Sequence, residues 1–125
     1  MVNPFADQKK FMDACDQPTA GTKNEKQYDL YRNLISEEVG ELIEAVQNDD
    51  RVEQLDALID ILVVTIGAIH SMGADAEGAW KEVLQTNLAK IDSKTGKVIK
   101  RNDGKVLKPK GWQAPNLARF LGNQD

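Results

Sequence analysis

Between residues 28 and 46, Tyr28, Tyr31, Ile35, Val39, Leu42 and Val46 recur at three- and four-residue intervals. At about 100° per residue that places them on one stripe of an amphipathic α-helix. Such a stripe needs a core to cover it. Glu38 and Glu41, three residues apart, project at the edge of the stripe beside Leu34 and Ala45, whereas Glu37 and Glu44 turn further toward solvent. Two carboxylates bordering a core repel each other, and a hard divalent cation held by oxygen ligands is the simplest compensation.

A second acidic stretch follows the break at Asn48, Asp49 and Asp50. Over residues 53–67, Glu53, Asp56 and Asp60 share one helical face, and the run beyond Asp60 is apolar almost all round. That composition predicts a buried helix. A carboxylate among leucine, isoleucine and valine is costly unless it is paired or metal-bound, so Asp60 calls for a reason. Two antiparallel helices joined by a tight turn would bring the acidic faces together. The candidate constellation is Glu38, Glu41, Asp56 and Asp60, with Glu37 and Glu53 as outer members. Four carboxylates with no histidine form an all-oxygen site, which selects Mg2+ or Mn2+ over zinc and usually acts on phosphates. Against this stands the plain reading of acids spaced along a helix as a solvated face.

The 125 residues suit one domain, and the 41% hydrophobic and 29% charged composition is that of a soluble globular chain. A formal charge of -4 argues against wholesale nucleic-acid binding. The charge is uneven, however. Over residues 90–110 eight lysines and arginines face only Asp92 and Asp103, a net +6. A helical body over about 3–91 therefore carries a basic segment over about 92–125, and a lysine-rich segment of this kind can neutralise a polyphosphate. The single Cys15 cannot form an intrachain disulfide, which fits a cytoplasmic location, and no secretory leader is expected. The longest apolar run, 61–69, falls short of the about 20 residues that a membrane span needs.

In chain order, Asn3 and Pro4 open a first helix through Phe5, Phe11 and Met12 that ends near Ala14. Asn24 with Gln27 resembles a capping box and starts the second helix, which runs to about Asn48. Gly40 lies inside it, either admitting a close approach by a partner or ligand or marking a tight helix contact. The third helix spans about 50–71 and ends at Gly73; its run Val63-Val64-Thr65-Ile66 has strand propensity, but its length favours helix. Asp75 caps a fourth helix through Trp80, Val83, Leu84, Asn87, Leu88 and Ile91, with Trp80 read as core. Turn signals at Thr95-Gly96 and Asn102-Asp103-Gly104 flank 97–99 and 105–107, a small hairpin. Pro115 leads into a short terminal helix with Leu117, Phe120 and Leu121. His70 reads as a charge at a helix C-terminus, and Trp112 either packs on the body or closes over a base. The expected fold is all-α, with four to five helices in a single domain.

These residues carry a family resemblance. Glu37-Glu38-x-x-Glu41, followed on the next helix by an acidic pair before Ile61-Leu62-Val63-Val64, resembles the MazG-like all-α nucleotide pyrophosphohydrolases, kin to phosphoribosyl-ATP pyrophosphohydrolase and the dimeric dUTPases. Asn87-Leu88-Ala89-Lys90 and Asp103-Gly104-Lys105-x-x-Lys108-Pro109-x-Gly111-Trp112 are similar to the C-terminal part of one MazG-like branch. In that branch the asparagine and lysines are expected near substrate phosphates. The second family motif is Glu-x-x-Asp. With Asp60 aligned on its aspartate, the glutamate position holds Ala57, and Asp56 or Glu53 stands in; the other register, Glu53-x-x-Asp56, keeps the spacing but leaves Asp60 unexplained.

The resemblance implies Mg2+-dependent cleavage of a nucleoside triphosphate at the α–β bond, giving monophosphate and pyrophosphate, in nucleotide-pool house-cleaning. It implies Glu37, Glu38, Glu41 and Asp60 as catalytic carboxylates, Glu38, Glu41, Asp56 and Asp60 as metal ligands, and Asn87, Lys90, Lys105, Lys108 and Trp112 against substrate. It also implies a helical bundle completed by oligomerisation, as a homodimer or dimer of dimers, with neither nucleic acid nor membrane as partner. Phosphoribosyl-ATP hydrolysis and a non-catalytic dimerisation module are the alternatives. A di-iron bundle would need Glu-x-x-His pairs, and the sole histidine, His70, has Gly67 three residues before it.

Overall fold

The computed structural model describes residues 1–19 and 21–124. It is all-helical, with α1 Pro4–Ala14, α2 Glu25–Gln47, α3 Arg51–Ser71, α4 Ala76–Leu88 and a 3₁₀ turn Ala118–Phe120, and no β-strand among the described residues. Local chemistry sets the helix starts. Asn3, Asn24 and Asp50 hold extended backbone, and their side chains accept the N–H groups of Ala6, Gln27 and Glu53 respectively. Gly73, at φ +72, follows the end of α3 in the left-handed region, where its missing Cβ also lets the backbone of Gly21 pack against it. No single described helix is long and apolar enough to cross a membrane.

The chain divides into two compact units, residues 1–76 with 121–124, and residues 77–120. The last described residues, 121–124, belong to the first unit. There Lys23 N–H donates to the Asn123 carbonyl at 2.7 Å, and Gln124 Nε2 donates to the Met72 carbonyl at 3.0 Å.

In the first unit α2 and α3 form an antiparallel hairpin around one register. Gln27 Nε2 donates to Ser71 Oγ at 2.9 Å and the Asn24 N–H donates to the Ser71 carbonyl, while within α3 the Ser71 hydroxyl donates to the Gly67 carbonyl. One turn on, the Tyr31 ring lies over Gly67, where a Cβ would stand within 3.0 Å of three ring atoms. Met12 from α1 joins Tyr31, Val64 and Ala68 in the core, with Tyr28, Leu34 and Ile35 around them. At the far end Gln54 Nε2 donates to the Ala45 carbonyl. Seven residues make about two turns of helix. The Tyr31–Gly67 contact therefore predicts that Glu38, seven residues after Tyr31, faces Asp60, seven before Gly67.

Several sequence expectations change. Gln27 does not complete a reciprocal capping box, because the Asn24 N–H that its side-chain oxygen would accept donates instead to the Ser71 carbonyl. The third helix is buried mainly over its C-terminal half, with Ala57 the one buried residue before Val64; Val52, Leu55, Ile59 and Leu62 remain exposed, as do Val39 and Val46 of the α2 stripe. Gly40 meets nothing within 4 Å. His70, in the last turn of α3, is buried, and its Nε2–H donates to the Phe5 carbonyl at 2.9 Å, which ties α1 to α3.

In the second unit α4 stops at Leu88, and Ile91 instead bridges Val98. The expected hairpin between 97–99 and 105–107 is present as a bridge between Lys100 and Val106 and a bond from the Leu107 N–H to the Ile99 carbonyl, without strands. The terminal helix is reduced to the 3₁₀ turn. Trp80, expected in a core, is 60% exposed. Trp112 packs within its own unit, its Nε1–H donating to the Thr86 carbonyl at 2.7 Å.

Candidate active site

The register delivers the contact it predicts. One carboxylate oxygen each from Glu38, Glu41 and Asp60 lies within 4.8 Å of the others. Glu38 and Asp60 are half-buried, whereas Glu41 is exposed. Glu38 Oε2 is buried with no hydrogen-bond partner. A hydrogen bond shared with the Glu41 carboxyl is the first reason the pKa of Glu38 is pushed up to about 7. Loss of water and the charges of Glu41, Asp60 and Asp56 act in the same direction. Burial raises the pKa of Asp60 as well, followed by the charges of Asp56 and Glu41.

Asp56 is exposed, one turn before Asp60 and outside the close trio, yet its charge reaches both Glu38 and Asp60. It also lines an open cavity of about 450 Å³ with Glu41, Glu44, Asn48, Asp50 and Glu53. Ala57, which the Asp60 register would put at the family's glutamate position, is buried at 3% exposure. Glu37 sits on the exposed face and does not join the trio. Glu44, read from the sequence as solvent-facing, is exposed and also lines this open cavity. Its spacing of three from Glu41 is the signal that could have placed it there.

In the second unit Lys90 Nζ donates to Asn87 Oδ1 at 3.1 Å, and the ammonium groups of Lys90 and Lys108 lie 5.1 and 5.0 Å from the centre of the Trp112 ring. Lys105 sits apart from this group, in the turn after Asp103, whose Oδ1 accepts its backbone N–H.

The trio fits a divalent cation. Its donors are all hard oxygens, and the orphaned Glu38 Oε2 requires either a proton or a positive charge. Two oxygens on one Mg2+ stand at most about 4.2 Å apart, so small side-chain adjustments would close the trio around such an ion.

Facing acidic helices in an all-α hairpin thus form an all-oxygen carboxylate site. The sequence model of phosphoribosyl-ATP pyrophosphohydrolase matches residues 8–87, which include α2, α3 and all three clustered carboxylates, and the chain belongs to that family. Pyrophosphohydrolases of this family typically use divalent metals. No curated protein matches the chain.

Proposed function

We propose that this pyrophosphohydrolase cleaves a nucleoside triphosphate between the α and β phosphates, releasing nucleoside monophosphate and pyrophosphate. The single observation that carries the reading is the convergence of Glu38, Glu41 and Asp60 with the unpartnered, buried Glu38 Oε2. These residues would hold Mg2+, with Asp56 as the fourth carboxylate; Glu53 belongs further out along the same cavity. When bound, the ion neutralises phosphate charge and makes a water more acidic. The chain's own part is to orient the carboxylates through the α2–α3 register and to release the proton that Glu38 and Glu41 share.

Phosphoribosyl-ATP is the second substrate reading, favoured by the family match itself. It too would lose pyrophosphate, so the two readings share the acidic site and differ in what surrounds it. A second copy of the chain is proposed to cover the exposed apolar residues of α2 and α3, giving a homodimer.

The test is pyrophosphate release from ribo- and deoxyribonucleoside triphosphates and from phosphoribosyl-ATP, with Mg2+ and with chelator. Mg2+-dependent release from a nucleoside triphosphate supports the first reading, and release confined to phosphoribosyl-ATP replaces it with the second. No release from any substrate by the folded protein with Mg2+ would refute both.

A further inference from the structure

The α2–α3 hairpin is closed by the turn at 48–50 and open at its other end, where residues 21–24 lead into α2 and Met72 and Gly73 leave α3. The end of the chain runs across that opening. The Asn123 N–H donates to the Gly21 carbonyl at 2.6 Å, and the Lys23 N–H donates to the Asn123 carbonyl at 2.7 Å, making a parallel bridge beside Thr22. Gln124 Nε2 donates to the Met72 carbonyl at 3.0 Å. The next residue after Lys23 already belongs to the helix register, since the Asn24 N–H donates to the Ser71 carbonyl at 2.8 Å. Consecutive amides thus bind the chain end and the end of α3.

Three glycines make the crossing possible. A Cβ on Gly122 would overlap the carbonyl oxygens of Gly21 and Gly73, and one on Gly73 would stand 2.8 Å from the Gly21 oxygen. These neighbours are backbone atoms, which cannot swing aside as a side chain can. What holds the chain end is hydrogen bonding, with little apolar burial: Leu121 is 45% exposed, and Asn123 and Gln124 are exposed as well. A segment held in this way opens locally, well before the core around Tyr31 and Val64 unfolds.

We propose that residues 121–124 are a releasable strap that fastens the start of α2 to the end of α3. Closed, the strap braces the end of the hairpin at which the Gln27–Ser71 and Tyr31–Gly67 contacts set the register; open, it leaves that end to fray. The strap is also the covalent continuation of residues 77–120, whose last turn is held by Glu82 through the Asn116 N–H and Arg119. Loosening of that segment therefore makes the strap harder to close. The device uses neither metal nor substrate and stands independently of the hydrolase reading.

The test is amide hydrogen exchange of the full chain in chelator, followed by NMR across a urea series. The Lys23 and Asn123 amides should exchange at one common rate, at least about tenfold faster than the Tyr31 and Val64 amides and with little dependence on urea. Exchange of both at the core rate, with the urea dependence of the core, would overturn the proposal, because the chain end would then leave only on global unfolding. Gly122→Ala tests space alone, since Gly122 lies outside the left-handed region. Exchange at Lys23 and Asn24 should rise at least about tenfold in this variant, and much less at Val64. Asn123→Pro removes the donor to Gly21 without adding a Cβ at Gly122, so the same rise at Lys23 and Asn24 there separates loss of the strap from crowding. Gln124→Ala, which takes away only side-chain bonds, should give a rise of about threefold. Glu82→Ala alters no atom of the strap, yet should speed exchange at Asn123 about threefold. Unchanged protection of Lys23 and Asn24 in both Gly122→Ala and Asn123→Pro would overturn the strap, as would an equal rise at every amide, Val64 included. Unchanged exchange at Asn123 in Glu82→Ala would overturn its coupling to residues 77–120.

Discussion

Gly67→Ala probes the contact that aligns α2 with α3. In an exposed helix interior the change would stabilise by about 1 kcal/mol. Here the new Cβ would stand within 3.0 Å of Cδ1, Cε1 and Cζ of Tyr31, a ring only 5% exposed whose hydroxyl donates to Gln17 Oε1 at 2.6 Å. The ring has no room to yield. Overpacking of this kind costs about 1–3 kcal/mol, and losing the Tyr31–Gln17 hydrogen bond costs about 1 more. Set against the helix-propensity gain, the net destabilisation is about 1–3 kcal/mol. For a folding unit of this size that lowers Tm by roughly 4–15 °C. Turnover should fall as well, because Glu38 and Asp60 lie two turns from the displaced contact. The assay is urea unfolding followed by circular dichroism in chelator, with Gly40→Ala as the control. Gly40 is exposed in a helix interior with nothing within 4 Å, so its alanine variant should gain about 0.5–1 kcal/mol. A Gly67→Ala protein as stable as its parent would refute the register, and with it the account of why Glu38 meets Asp60.

The raised pKa of Glu38 makes metal-free stability depend on pH. Between its ordinary value of 4.5 and about 7 the folded state binds more proton than the unfolded state, so stability falls as pH rises through that window. Denaturation at pH 5 and pH 8 should show the parent losing more stability than Glu38→Gln, and equal losses would refute the coupling. The same proton competes with the cation, so Mg2+ affinity should strengthen as pH is raised toward 8, as calorimetry can measure. Asp60→Asn should eliminate turnover and Asp56→Asn should lower kcat/KM at least about a hundredfold, with Glu53→Gln milder; normal turnover in Asp60→Asn with the other two dead would shift the motif to Glu53 and Asp56. Leu62→Asp places a charge on the exposed face of α3 and should convert a homodimer to monomer in sedimentation, and an unchanged mass would exclude that face as the interface.

Helix boundaries were legible in the sequence because they rest on short-range chemistry. Asn3, Asn24, Asp50 and Gly73 act on backbone groups within a few residues of themselves, so the starts of the first three helices and the end of α3 lie where side-chain type places them. The acidic faces were equally readable, since helical periodicity alone puts Glu38 beside Glu41 and Asp56 beside Asp60. Which carboxylates of two helices meet is a different matter. A helix pair can slide by a turn and still bury much of its apolar surface, so the choice of Asp60 over Asp56 as the close partner of Glu38 depends on Gln27 meeting Ser71 and on Tyr31 fitting where Gly67 has no side chain. His70 found the Phe5 carbonyl 65 residues away, and Lys90 and Lys108 found one indole, through folding rather than any local pattern. Trp80 shows the converse: helical spacing placed it on an apolar stripe, but whether a stripe is covered is decided by what the rest of the chain brings to it.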